Sequence, residues 1–155
     1  MICKYCGFYA VENKRTIIGY PELEHVISIL TGEIAPKENS MVKTLPDNVF
    51  QNNMFSPADP KEVNVLITSI VHFNRENKEH PRGVSMVELQ ELWAAKHVSA
   101  FTAKLADSIE LLTKKKVLKD ALDEDLPVYT LSVDLFRRWW SIHHPDISVE
   151  IGTIM

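Results

Sequence analysis

Cys3 and Cys6 stand three residues apart and are followed by Gly7, the form of one zinc knuckle, in which two thiolates from a tight turn grip the metal. A tetrahedral site needs two further ligands. No second CxxC exists, so these would come from His25, His143 or His144, or from the same cysteine pair in another subunit. Without them Cys3 and Cys6 are free thiols, which is the preferred reading, and no bound cofactor is expected. Thioredoxin-type redox chemistry fits poorly, because the motif does not follow a strand within a βαβ pattern. His143-His144 beside Pro145 and Asp146 offers imidazole next to carboxylate, but neighbouring helical side chains diverge by about 100 degrees, so a polar helix end is the better reading. Ser85, Ser99 and Ser132 suit helix caps better than nucleophiles, and no GxSxG turn is present. Asp123, Glu124 and Asp125 fall in a presumed hairpin tip, where water rather than a desolvated pocket surrounds them. The expectation is a protein that binds and does not catalyse.

The elements that must carry these residues divide into stretches of different pattern. Phe8, Tyr9 and Val11, then Thr16, Ile17, Ile18 and Tyr20, flank the polar Glu12-Asn13-Lys14, which predicts a small β-hairpin over residues 3–20. Leu23, Val26, Ile27 and Leu30 then recur at helical offsets, which predicts a short helix over 21–31 stopped by Gly32. Residues 1–32 thus form a hairpin-helix element. Residues 33–58 lack a period and carry Pro36, Pro46 and Pro57, so they read as a strap or linker whose anchors Val42, Leu45, Val49, Phe50, Met54 and Phe55 would lie across the next domain.

That domain is expected over 59–146, followed by a tail over 147–155. Asp59-Pro60-Lys61-Glu62 has the form of a helix start, and Val63, Leu66, Ile67, Ile70 and Val71 follow the helical period. Ser85-Met86-Val87-Glu88 is a capping box before Leu89, Leu92 and Trp93. A third helix carries Phe101, Leu105, Ile109 and Leu112 and ends in Lys114-Lys115-Lys116, where positive charge suits the carbonyl end. Residues 117–119 and 128–131 read as paired strands, and Ser132 as the cap of a last helix from Val133 to about His143, stopped by Pro145.

Three helices, a β-hairpin and a further helix give the order of a winged helix, a mainly α (α+β) fold with its helix-turn-helix in 84–115 and its wing in 117–131. The expected core is Leu66, Ile70, Leu89, Trp93, Leu105, Ile109, Leu112, Leu118, Tyr129 and Leu131. The run Val128-Tyr129-Thr130-Leu131-Ser132-Val133-Asp134-Leu135-Phe136-Arg137-Arg138-Trp139-Trp140 resembles the end of the C-terminal winged-helix domain of bacterial and archaeal P-loop (AAA-type) ATPase-like proteins. There the wing ends in a Tyr-x-Leu/Phe-x-Val strand and the chain continues as Leu-Phe-Arg-Arg-Trp. The resemblance covers residues 59 to about 144 and implies an ATPase-associated regulatory domain. The ATPase core itself is missing, since no GxxxxGK[ST] loop occurs among only 5 glycines. Either a piece of a longer protein or an independent adaptor would fit.

A winged helix commonly lays its third helix in the major groove. In that mode Ser99, Thr102, Lys104 and Ser108 would face bases, and Lys96, Lys114, Lys115 and Lys116 would face phosphates. Charge discounts this. Residues 61–116 hold nine Lys or Arg against seven acidic residues, but residues 117–155 hold three against seven, and Asp107 and Glu110 lie on the same helix. The competing reading is a protein interface, which would use Arg137, Arg138, Trp139 and Trp140, because two adjacent Trp are not expected to point inward together. A protein partner, or an ATPase core of its own, is therefore favoured over DNA.

Bulk composition agrees with this choice. The chain has 155 residues, 45% hydrophobic and 25% charged, with a net charge of −4, which argues against nucleic-acid binding by bulk electrostatics. Apolar runs such as Val65-Leu66-Ile67 fall far short of the roughly 20 residues needed to span a bilayer. With no signal-peptide pattern at Met1, no membrane role and a cytoplasmic location are expected.

Overall fold

Ile2, Tyr5, Cys6 and Tyr9 recur at offsets 0, 3, 4 and 7, and in the computed structural model these residues form the half-buried side of helix α1, Ile2–Glu12. The structure describes residues 1–51, 53–75, 82–97, 99–123 and 126–148. Among these it is mainly helical with one small three-stranded antiparallel sheet, an α+β fold. No helix among the described residues is long and apolar enough to cross a membrane. The chain divides into two compact units, Met1–Val49 and Phe50–Met155.

In the first unit the expected N-terminal hairpin is replaced by α1. Glu12-Asn13-Lys14 is a helix stop and not a hairpin turn: Asn13 Nδ2 donates to Tyr9 O at 2.9 Å, Lys14 adopts a positive φ of 51°, and Arg15 N–H reaches back to Ala10 O at 2.8 Å. Residues 16–18 join no strand. Helix α2, Tyr20–Thr31, opens with Gly19 N–H on Glu22 Oε2 at 3.1 Å and closes on Gly32 at φ 90°. Tyr9 meets His25 of α2 with ring centroids 5.5 Å apart. After α2 the chain folds back, with Leu45 N–H on Leu30 O at 2.8 Å and Val42 and Leu45 buried. Glu12 fastens this return by accepting from Met41 N–H and the Ser40 hydroxyl, and those hydrogen bonds hold its carboxyl below the usual range. Residues 33–49 of the expected strap thus belong to the first unit and residues 50–58 to the second.

The second unit opens with helix α3, Lys61–Phe73, and continues through strand β1, Val84–Ser85, and helix α4, Met86–Ala95. The capping box before α4 forms as its sequence demands: Glu88 N–H donates to Ser85 Oγ at 3.3 Å and Ser85 N–H donates to Glu88 Oε2 at 2.9 Å. A 3-10 segment, Ser99–Lys104, leads into helix α5, Leu105–Lys114. Strands β2, Leu118–Asp123, and β3, Leu126–Leu131, pair with Leu118 opposite Leu131, and β1 adds to the other edge of β3 with Val84 opposite Tyr129. The sheet order is β1-β3-β2. Helix α6, Asp134–His143, follows with Val133 and not the expected Ser132 at its N-cap, and Ser132 N–H donates to Val117 O at 2.8 Å at the end of the sheet.

All the expected core residues are buried except Tyr129, which is half-buried at the junction of β1 and β3. Two side chains in the middle of α3 give this core its polar register. Ser69 Oγ accepts from Trp93 Nε1 at 2.9 Å, and Thr68 Oγ1 accepts from Trp140 Nε1 at 3.0 Å, so adjacent residues of one helix hold a Trp from α4 and a Trp from α6. The expectation that Trp139 and Trp140 cannot both point inward is corrected, since they are 1% and 0% exposed. Adjacent residues do diverge around a helix, but here α6 is covered on both flanks. Phe50 meets Trp139 at 5.0 Å between ring centroids, and Phe55 meets Trp140 edge-on at 5.2 Å. The residues just before α3 supply the second wall.

A candidate interaction groove along α5

Helix α5 buries Leu105, Ile109 and Leu112 and turns its other sides outward. Between its outward side, the start of α4 and the β2–β3 hairpin lies a groove of about 500 Å³. Met86, Ala106, Ile109 and Tyr129 contribute its apolar surface, and Glu110, Asp120 and Lys114 its charges. Elements far apart in sequence set this geometry. The cap at Ser85 fixes where Met86 enters, and the register of β3 between β1 and β2 places Tyr129 and Asp120 directly opposite each other. A smaller hollow of about 300 Å³ on the other flank of α5 is lined by Pro60, Glu62, Lys104, Asp107, Ser108 and Leu111. Carboxylates outnumber ammonium groups in both.

Among the residues read from sequence as DNA contacts, Ser108 is the one that burial corrects. Ser108 is 4% exposed and packs inward, so it cannot face a base. Lys104 Nζ donates to Glu62 Oε1 at 2.7 Å, and that hydrogen bond holds the Glu62 carboxyl below the usual carboxylate range against the opposing effect of burial. Lys115 is bound to Asp59 at 2.7 and 2.5 Å, so its charge joins the start of α3 to the end of α5. Thr102 is half-buried in the 3-10 segment, and the side chain of Ser99 lies outside what the structure describes. Lys96, Lys114 and Lys116 remain exposed. Glu124 and Asp125 of the acidic tip, His80 and residues 149–155 of the expected tail lie outside the described residues.

Of the expected protein interface at Arg137, Arg138, Trp139 and Trp140, the structure buries all but Arg138. Both Trp are core residues, Arg137 is 5% exposed and paired with Asp134 at 2.5 Å, and Arg138 is half-buried. His143 stacks on Trp139 and His144 on Trp140, at 4.6 and 3.8 Å between centroids, so this helix end roofs the core. Cys3 and Cys6 lie one turn apart on a continuous helix and not in the tight turn that a knuckle requires. Among the described residues no three of His, Cys, Asp or Glu gather into a metal-binding group. Sequence reading missed the groove because Met86, Glu110, Asp120 and Tyr129 belong to four different elements; only the capping box and the hairpin hinted at where they converge.

No family model, curated protein or solved structure matches the chain. Its own side chains carry the functional reading.

Proposed function

We propose that the second unit is a winged helix that serves as a non-catalytic protein-interaction module, the regulatory domain of a cytoplasmic ATPase-like protein, and that the α5 groove is its docking site. The element order supports the winged-helix reading, with the sheet order β1-β3-β2 placing the hairpin beside α5. One observation carries the choice of ligand: the groove joins an apolar surface from Met86, Ala106, Ile109 and Tyr129 to the two carboxylates of Glu110 and Asp120, with Lys114 the one cation among its described lining residues. DNA presents about one negative charge per 1.7 Å and would meet those carboxylates with repulsion. A protein segment bringing an apolar side chain flanked by Lys or Arg matches the groove in both respects. DNA recognition is the second reading, favoured by the exposed Lys96, Lys114 and Lys116 around the ends of α4 and α5.

A photo-crosslinking amino acid placed at Thr113, on the groove, and separately at the exposed Glu91 of α4 tests this in cells that make the protein. The expected result is a discrete protein adduct from Thr113 and not from Glu91, lost when Glu110→Lys and Asp120→Lys are combined. Adducts to nucleic acid from Thr113, or equal adducts from both positions, would contradict the reading.

A further inference from the structure

Cys3 and Cys6 place two thiols within the first two turns of α1. Cys3 and Cys6 are three residues apart on a continuous helix, so their Cβ atoms lie about 5–6 Å apart on one side. Zn–S bonds of about 2.3 Å in a tetrahedron set the sulfurs about 3.8 Å apart, a spacing that side-chain rotation from those Cβ positions can reach. Cys3 is exposed, Cys6 is half-buried, and both are free.

The helix around them suits a twin. α1 is largely apolar: Ile2, Phe8, Tyr9 and Ala10 are half-buried, none of its residues is fully buried, and Val11 is exposed. Gly7 follows on the next turn from Cys3, and a side chain built there would meet nothing within 4 Å, so another backbone has room to approach. Lys4 and Glu12 are the only Lys, Arg, Asp or Glu in the helix, and the Lys4 ammonium sits 5.5 Å from the centroid of Phe8. Little like charge opposes pairing.

We propose that α1 is a zinc-dependent dimerisation helix in which Cys3 and Cys6 of two copies hold one Zn²⁺ in a four-sulfur site. Four thiols lose their protons to solvent as four Zn–S bonds form, with no change of oxidation state. The site stands independently of the groove in the second unit. Metal-free, reduced full-length chain titrated with a zinc salt, followed by light scattering and metal analysis, tests it. The expected result is one zinc per two chains with a doubling of mass, both reversed by a chelator and unaffected by further reductant. Cys3→Ser and Cys6→Ser should each abolish zinc uptake and dimer together while the helical circular dichroism stays unchanged. Cobalt(II) in place of zinc should give the absorption of a tetrahedral thiolate complex. Zinc bound at one per chain without a change of mass, no stoichiometric zinc, or a dimer that persists in both serine variants would each overturn the proposal.

Discussion

Trp140→Ala is expected to destabilise the second unit by about 3–5 kcal/mol, the range for removing a large aromatic side chain from a packed core. Trp140 is fully buried, donates to Thr68 at 3.0 Å and touches Phe55, Phe136 and His144. Its removal opens a cavity between α3 and α6 and leaves the Thr68 hydroxyl without that donor. Since whole domains are stable by only about 5–15 kcal/mol, the variant should be partly unfolded at 37 °C. Thr68→Val separates the contributions: it keeps the ring packing and strands the indole N–H, so a smaller loss of about 1–3 kcal/mol is expected. Urea unfolding followed by circular dichroism reads both. A loss below about 1 kcal/mol for Trp140→Ala would mean that the indole is not part of the core.

Gly83→Val should be the second severe substitution, for a different reason. A Cβ at Gly83 would lie 2.4 Å from Cγ2 and 2.6 Å from Cβ of Val128, far inside ordinary contact. Val128 cannot step aside, because it belongs to the central strand β3, paired with Ser85 on one side and Ala121 on the other. Overpacking typically costs about 1–3 kcal/mol, and here it also pushes β1 away from β3. Tyr129 and Met86 flank that junction, so the groove should open with it. Thermal unfolding should show a clearly lowered midpoint, largely restored by adding Val128→Ala. A wild-type midpoint in Gly83→Val, or no rescue, would contradict the close approach of β1 to β3.

Gly83 also marks where the sequence stops being informative. A two-residue strand has no periodicity of its own and exists because β3 offers it an edge. Helices α3 to α6 and the hairpin were legible because each carries one apolar stripe against polar residues, with caps at Ser85 and charge at Lys114 to Lys116 marking their ends. Helix α1 was misread for lack of contrast. Its residues are so uniformly apolar that alternation and helical period both fit, and the polar Glu12-Asn13-Lys14 serves equally as a hairpin turn or a helix stop. The Trp139-Trp140 pair was misjudged for a third reason: one helix face against one core predicts a single buried Trp, whereas Phe50 and Phe55 cover the other flank of α6. Of the candidate site, the charge on α5 was visible in Asp107 and Glu110. The opposing carboxylate at Asp120 and the apolar surface between were not, because strand register and not spacing brings them together.

Binding of fluorescent duplex DNA by the full chain, followed by anisotropy at two salt concentrations and repeated with Lys114→Ala combined with Lys116→Ala, tests the central claim most directly. These two lysines are exposed, and Lys115 is left in place because it holds Asp59. A groove built for a protein segment predicts at most non-specific affinity, about 10⁻⁴–10⁻⁶ M, the same for unrelated sequences. Affinity of about 10 nM or tighter for one sequence, falling steeply with salt and lost in the double variant, would contradict it and make α5 a DNA-reading helix.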